Sequence, residues 1–331
     1  AKDFIKCLPV LIATAFIAGI YGFAFERFHI FPYQSLKSIQ KSISPESGKY
    51  YGPWSIGMYE GNTIFDLSPS SGVTNPVLTG KDVTDIDAEF VADPFMLIHD
   101  NKHYMFFEVL RRDNQQGDLG YAESLDGKNW DYKKIIIDED FHLSYPYVFK
   151  WKNKIYMIPE SHEDFSIRLY EAVDFPHEWK YVKTLLSGYR FVDPTIVRHE
   201  NKWWIFSSTG VNDDVLNLYY SDSLEGEWQT HPSSPIIKLN AHIARPGGRI
   251  IKDNGKLYRL TQDGVPYYGI QVFAFEITEL SETTYKEKLS SKKPIVTMTN
   301  SGWNAHGMHH VDAQKVNGKW TAVVDGQNNY Y

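Results

Sequence analysis

A hairpin-like pattern recurs five times along this 331-residue chain and limits the folds that it can adopt. Each copy has an apolar run, a polar turn in which Asn or Gly precedes Lys, and a second apolar run. The three clearest copies start at Val91, Ser144 and Phe191, and two weaker copies start at Ala244 and His309. Short strand pairs repeated at a spacing of roughly 50 residues predict the blades of a β-propeller.

The outer strands of the blades are also visible in the sequence. Each of the first four hairpins is followed by a third apolar run, a turn and a fourth run, as in a four-stranded blade. The fifth hairpin lies too near Tyr331 for two more strands, and the segments 53–61 and 75–80 supply a match. We therefore expect an all-β, five-bladed β-propeller over residues 51–331, closed by N-terminal strands that complete the last blade and leave no open sheet edge.

Composition and short motifs exclude several classes of protein. The formal net charge is −7 and there is no basic run, so nucleic acid is not an expected partner. The single Cys7 excludes an intrachain disulfide. No zinc-type Cys/His spacing, GxGxxG motif or P-loop occurs, so we expect no cofactor. The sequence leaves the oligomeric state open.

The head of the chain is apolar. Residues 7–25 contain no charge and are about long enough to span a bilayer as a helix. We therefore expect a single-pass transmembrane anchor in residues 1–25 and a polar juxtamembrane stalk in residues 26–50. A cleaved signal peptide and a buried core helix are the alternatives. The flanking positive charges are nearly balanced and do not fix the orientation; we expect the propeller on the extracytoplasmic, periplasmic side.

Two sets of equivalent positions are predicted to line the axis of the ring. The innermost strand of a blade starts near one mouth of the central channel, where a proline without a ladder donor is tolerated. The residues just before the proline, or before Val311 in the fifth copy, form a first ring: Asp93, Tyr145, Asp193, Arg245 and His310. The positions six residues after each turn lysine form a second ring: Glu108, Glu160, Ser208, Gln262 and Asp325.

Each of these residues also has a purely structural interpretation. An Asp before Pro often caps a turn, and a Glu at a strand end is often solvated; the repeated placement is what favours a site. His142 lies three residues before Tyr145 and is a further candidate. The cluster of His306, His309 and His310 could suggest a metal, but alternating side chains on an extended strand cannot all face one point. We therefore predict no metal and assign His309 and His310 to substrate binding.

The motifs carry a family resemblance. The runs ADPFMLI, YMFFE, HLSYPYVF, VDPTIV and ARPGGRI resemble five-bladed propellers of glycoside hydrolase families 43 and 62 and the related families 32, 68, 117 and 130. More closely, they are similar to the N-terminal domain of glucosamine inositolphosphorylceramide transferase and its stand-alone bacterial relatives. This resemblance implies a sugar-binding, hydrolase-like funnel. The resemblance to family 43 implies that Asp93 is the general base and that Asp193 is the residue that orients and tunes the acid.

The sequence departs from family 43 at the general acid. The family takes this Glu from the fourth blade, where Arg245 and Gln262 stand here. Glycoside cleavage needs one protonated and one ionised carboxyl, and crowded carboxylates can create the protonated one. Glu160 or Glu108 could therefore serve as the acid, or His310 could replace it.

The remaining assignments concern the substrate. Arg245 is expected to bind a carboxylate or phosphate through its fork. The other residues expected to contact substrate are Tyr145, His142, Gln262, His309 and His310. Two functions stay open: an enzyme that acts on a glycan or glycoconjugate, and a non-catalytic propeller that positions a glycan for a separate glycosyltransferase. A glycosyl transfer activity of its own is a further alternative.

Overall fold

The computed structural model describes residues 51–329, which form five antiparallel sheets. Two strands come before the first complete blade: β1 (Tyr51–Gly61) and β2 (Ser68–Pro69). The strands of the first blade are β3 (Ala88–His99), β4 (Lys102–Arg111), β5 (Gly117–Ser124) and β6 (Asp131–Ile137). Those of the second blade are β7 (Ser144–Trp151), β8 (Lys154–Ser161), β9 (Ser166–Asp174) and β10 (Glu178–Ser187).

The other blades repeat this order. The strands of the third blade are β11 (Val192–His199), β12 (Lys202–Ser208), β13 (Leu216–Ser221) and β14 (Gln229–Thr230). The fourth blade contains β15 (Ile251–Asp253), β16 (Lys256–Asp263), β17 (Gln271–Leu280), β18 (Tyr285–Leu289) and β19 (Val296–Thr297). Two further strands end the described chain: β20 (Val311–Val316) and β21 (Lys319–Asn329). Short 3₁₀ turns occur at Gly80–Asp82, His162–Asp164 and Gly302–Asn304.

The ring closes as predicted, because β1 pairs with β21. The fifth blade has the order β2–β1–β21–β20, and Ile56 lies opposite Asp325. The predicted outer strand at 75–80 is wrong: β2 takes that place, since a turn in which Thr63 donates to Asp66 brings the chain back earlier. Within 75–80, Leu78 forms only an isolated bridge with Ile56. The all-β, five-bladed propeller is thus confirmed.

The hydrophobic cores lie between neighbouring sheets. Aromatic and branched side chains alternate along the strands and pack face to face, as β-strand propensity favours. One core joins the first three blades around Phe106, Tyr156 and Trp203. Others join the third blade to the fourth, the fourth to the fifth and the fifth to the first. This packing leaves the starts of the innermost strands around a common axis.

The anchor and stalk predicted for residues 1–50 lie outside the described residues. Within 51–329 we find no helix with the length and apolar character that crossing a membrane requires. The membrane anchor, the periplasmic location and the boundary between stalk and propeller therefore remain predictions.

Candidate functional site

Three of the five first-ring residues lie at equivalent β-bulges. Asp93, Tyr145 and Asp193 have φ of 52°, 48° and 48°, the left-handed region that non-glycine residues rarely adopt. In each case the register between the first and second strands shifts at that residue. Bulges of this kind re-aim a side chain, and such backbone strain concentrates at functional sites. Asp193 lies at the start of β11 as predicted, whereas β3 begins five residues before Asp93, so the Asp93-Pro94 pair interrupts its strand as a bulge instead of opening it.

The two predicted rings are connected from blade to blade. The Asp93 N–H donates to Asp325 Oδ2 at 3.2 Å, and the Asp193 N–H donates to Glu160 Oε2 at 2.8 Å. In both pairs the carboxylate comes from the second strand of the preceding blade in the ring. Asp325 and Glu160 therefore hold the bulged backbone that presents Asp93 and Asp193.

Asp193 is bound by the two residues that replace the expected acid. Arg245 Nε and Gln262 Nε2 both donate to Asp193 Oδ2, at 2.6 Å and 2.9 Å. Arg245 Nη1 also donates to Asp213 at 2.7 Å, so the guanidinium joins two carboxylates. Burial raises the pKa of Asp193, and the charge of Arg245 opposes that rise. The predicted fork of Arg245 toward an anionic substrate is thus already engaged by protein groups.

Asp93 faces carboxylates and imidazoles. Its Oδ1 lies 3.4 Å from His309 Nε2 and 3.7 Å from His310 Nδ1. Burial and the charges of Asp193, Glu108 and Asp325 raise the pKa of Asp93 well above its ordinary value. Burial also lowers the pKa of His310 to about 4, so this ring is neutral near neutral pH. Asp93 can therefore hold a proton under conditions where an exposed aspartate is ionised.

His309 links Asp93 to Asp325. Its Nδ1 lies 2.8 Å from Asp325 Oδ2, while its Nε2 points to Asp93. The ligand atoms of these three residues lie within 4.8 Å of one another, which is close enough to hold a metal ion. The same geometry suits a hydrogen-bonded carboxylate–imidazole–carboxylate chain. The predicted absence of a metal stays a prediction.

A second carboxylate–histidine group adjoins this one. The Gly117 N–H donates to His142 Nδ1 at 3.0 Å, so neutral His142 carries its proton on Nε2, which lies 3.3 Å from Glu108 Oε1. His162 Nδ1 lies 2.6 Å from Glu160 Oε1. Burial alone raises the pKa of Glu160, but His162 and the charge of Arg245 outweigh it and hold that pKa below its usual range. Glu160 is therefore ionised, whereas Glu108 lies beside the Nε2–H group of His142.

Tyr145 and His310 belong to a buried layer of rings around Phe95. Both side chains are fully buried and pack edge-to-face with Phe95, at ring separations of 4.8 Å and 4.6 Å. The Tyr145 hydroxyl donates to the Gly248 carbonyl at 3.0 Å and accepts from its N–H at 2.9 Å, joining the second blade to the fourth. Ser208 is also fully buried. The contact of Tyr145 and His310 with substrate stays a prediction.

Sequence reasoning missed an aromatic rim. The Trp54 and His309 rings are 4.1 Å apart, the Tyr268 and His309 rings 5.1 Å apart, and the Arg245 guanidinium lies 5.0 Å over Tyr268. Tyr268 is 44% exposed, as a sugar-stacking platform requires. The adjacent tyrosines in the loop between β16 and β17 were the available signal. No sequence signal marked Trp54, because it reaches His309 only when β1 pairs with β21 and closes the ring.

Two comparisons of the sequence with known proteins match most of the chain. A sequence profile described as "Glucosamine inositolphosphorylceramide transferase 1, N-terminal" matches residues 48–327. The rice protein of that name (Oryza sativa subsp. japonica) is 38% identical over an alignment of 298 residues that covers 83% of this chain and 40% of that protein. The chain thus spans about two-fifths of the length of this curated relative.

Solved structures share the fold at low identity. The catalytic domain of a family 62 α-L-arabinofuranosidase from Coprinopsis cinerea has a TM-score of 0.54 and 12% identity, covering 84% of this chain and 97% of that one. The family 32 β-fructofuranosidase BmSUC1 of Bombyx mori has a TM-score of 0.53 and 16% identity, covering 72% and 55%. These likenesses establish the propeller fold and nothing about the substrate.

Proposed function

Since the chain belongs to the family of the N-terminal domain of glucosamine inositolphosphorylceramide transferase 1, we propose that it is a carbohydrate-active propeller that cleaves a glycosidic bond in its axial funnel. The substrate class is a glycan or glycoconjugate. The supporting observation is Asp93, a carboxyl on a strained bulge whose pKa is raised by burial and then by three neighbouring carboxyls. Perturbed carboxyls of this kind in a cleft mark candidate catalytic groups.

We assign Asp93 as the general base. A base works best when its pKa lies near the working pH. Burial and the neighbouring carboxyls raise the pKa of Asp93 in that direction. In the reaction, Asp93 takes a proton from the attacking water while the bond from the sugar carbon to the leaving oxygen breaks. Asp193 does not exchange protons in this scheme; Arg245 and Gln262 fix it beside the reacting sugar.

We assign Glu108 as the general acid. Glu160 is held ionised by His162 and Arg245 and cannot donate a proton, so it is the weaker of the two glutamates for this role. Glu108 is buried and lies beside His142 Nε2, which can return the proton after each turnover.

One observation favours the second function, a non-catalytic module that presents a glycan to a separate glycosyltransferase. The fourth blade places Arg245 and Gln262 where the hydrolases of family 43 have their acid. The exposed ring of Tyr268 and the buried donors are sufficient to bind a sugar without cleaving it. We also propose that residues 7–25 anchor the protein and that the propeller is periplasmic.

The test compares two variants of the full chain on two kinds of leaving group. Asp93→Asn should keep ligand affinity, measured by calorimetry, and lower turnover roughly 100-fold or more on every substrate, the scale of a lost general base. Glu108→Gln should lower turnover strongly on a natural glycan and much less on a nitrophenyl glycoside, whose leaving group needs no proton. Asp131→Asn, exposed on β6, is the matched control.

Each result separates the alternatives. Turnover that survives Asp93→Asn removes the base assignment. Equal losses for Glu108→Gln on both leaving groups remove the acid assignment. A wild-type chain that binds glycans and releases no sugar from any of them replaces the enzyme with the binding module.

A further inference from the structure

The other mouth of the channel carries a ring of cations. In every blade, the residue that follows the turn lysine pairs with one residue of the innermost strand. These partners occupy equivalent positions in the five blades: Ile98, Lys150, Arg198, Lys252 and Lys315. Four of the five are positively charged. From Asp93 to Ile98 is five residues of extended chain, about 16 Å at the rise of a strand. This ring is therefore at the end opposite to the carboxylates.

A cavity of about 610 Å³ opens at this mouth. Its lining within residues 51–329 includes five cations, the four of the ring and Arg249, and no carboxylate. Trp151 supplies a partly exposed apolar face beside them, and Trp203 and Trp320 lie buried behind the wall. The buried layer of Phe95, Tyr145 and His310 lies between this cavity and the funnel, so the two are separate. A cavity of this size suits a small organic ligand.

The cations are only partly neutralised by protein groups. Arg249 Nε donates to Asp312 at 2.6 Å, and Lys315 Nζ lies 3.8 Å from Asp253. Lys150 Nζ and Lys252 Nζ instead donate to the carbonyls of Ile98 and Arg198, at 2.8 Å and 2.7 Å. Among the described residues, no carboxylate lies within 4.0 Å of Lys150, Arg198 or Lys252. Two carboxylates thus face five cations.

Burial, together with the charge of Arg198, lowers the pKa of Lys252. The whole chain has a formal net charge of −7, so a local positive excess runs against its average. Lys150 and Lys252 each use one of their three ammonium donors on a carbonyl, and the Arg198 guanidinium uses one of its five on Asn201. Donors and charge both remain for an anion.

We propose that this mouth is a second binding site, for a ligand that carries a phosphate monoester. A dianion matches the excess of about three positive charges, and charge-assisted hydrogen bonds from lysine and arginine are the usual means of holding phosphate. The cavity is larger than phosphate alone, and the partly exposed Trp151 ring receives the apolar or sugar face of the ligand. The site is independent of the chemistry proposed for the funnel.

The experiment measures binding of glucose 6-phosphate to the full chain by calorimetry at low salt, with glucose as the uncharged comparison. Glucose 6-phosphate should bind, glucose should bind at least 10-fold more weakly at this site, and added salt should weaken the phosphate ligand. Lys150→Gln and Lys252→Gln should each lower affinity roughly 5- to 10-fold, the scale of a lost charge-assisted hydrogen bond. Lys134→Gln, exposed on β6, should leave it unchanged.

A third variant guards against a folding defect. Lys150 and Lys252 hold backbone carbonyls of neighbouring blades, whereas Lys315 holds none among the described residues; Lys315→Gln should therefore lower affinity without changing the melting temperature.

Vesicles of phosphatidylcholine with and without phosphatidic acid form the second arm, since a lipid can also present a phosphate monoester. Binding that needs phosphatidic acid and is lost in the same variants supports the site with a lipid ligand. Absence of binding in both arms, or binding that all three variants retain, overturns it.

Discussion

Replacing Asp325 tests whether the carboxylates of the funnel also hold the ring closed. Its fully buried side chain accepts from three backbone N–H groups, those of Asp93 at 3.2 Å and of His309 and His310 at 3.0 Å each. Asp325→Ala leaves all three donors without an acceptor. A buried unsatisfied donor costs about 1–3 kcal/mol, so the free energy of unfolding should fall by about 3–9 kcal/mol. That is comparable with the whole stability of a typical domain.

Asp325→Asn is the milder change. Its amide oxygen can still accept from His309 and His310, while the acceptor for the Asp93 N–H and the charge facing His309 are lost. The free energy of unfolding should fall by about 1–3 kcal/mol. The control is Asp222→Asn, whose side chain is 88% exposed and which should stay within about 0.5 kcal/mol of the wild type. Urea unfolding followed by tryptophan fluorescence measures the free energy of unfolding of these three variants and of the wild type.

The pH dependence gives a second check on the same residue. Burial alone raises the pKa of Asp325, but the charge and hydrogen bond of His309 outweigh it and lower that pKa below 3.8. A carboxyl with a lowered pKa in the folded state adds stability above its unfolded pKa and loses it as the pH falls. The gap between wild type and Asp325→Asn should therefore narrow below about pH 4. An Asp325→Ala protein within 1 kcal/mol of the wild type would refute the reasoning.

Three other predictions address separate parts of the molecule. Tyr268→Ala should weaken glycan binding roughly 10-fold in calorimetry, the scale of a lost aromatic contact, and leave the urea midpoint unchanged; unchanged affinity would remove the aromatic platform. Glu287→Ala should cost about 3–5 kcal/mol in urea unfolding, because it leaves the fully buried Arg259 without its carboxylate, and a double variant of Arg259→Met with Glu287→Leu should recover most of that loss. Deleting residues 1–44 should give a folded protein that needs no detergent in sedimentation, and aggregation of this form beside a full chain that is soluble without detergent would contradict the anchor.

The sequence specified the fold well, since the hairpin copies carry their own register. Alternation of apolar residues and the turn before each lysine determine the first two strands of every blade. The equivalence of Asp93 and Asp193 followed from that register alone. What it could not supply were contacts between distant copies, such as Arg245 with Asp213 or the Gly248 backbone with the Tyr145 hydroxyl. These depend on which blades become neighbours.

Conformation at single residues was likewise out of reach. Proline restricts the residue before it, yet the pattern gave no sign that Tyr145 would take a left-handed backbone like Asp93. Without that turn of the backbone, the depth of each side chain could not be predicted. The side chains of Tyr145 and His310 are consequently buried, whereas Tyr268, on a loop with no repeat equivalent, is exposed.

Pairing of β1 with β21 makes the propeller a ring without a privileged starting point. Tyr51 lies opposite Asn329, so the first and last described strands begin and end side by side. A short linker between these positions, with new termini cut at the exposed hairpin tip of Asp100 and Asn101, would give a circular permutant with every sheet intact. In this permutant the seam would move from the fifth blade to the first. Attachments to the ring could then be relocated to the first blade.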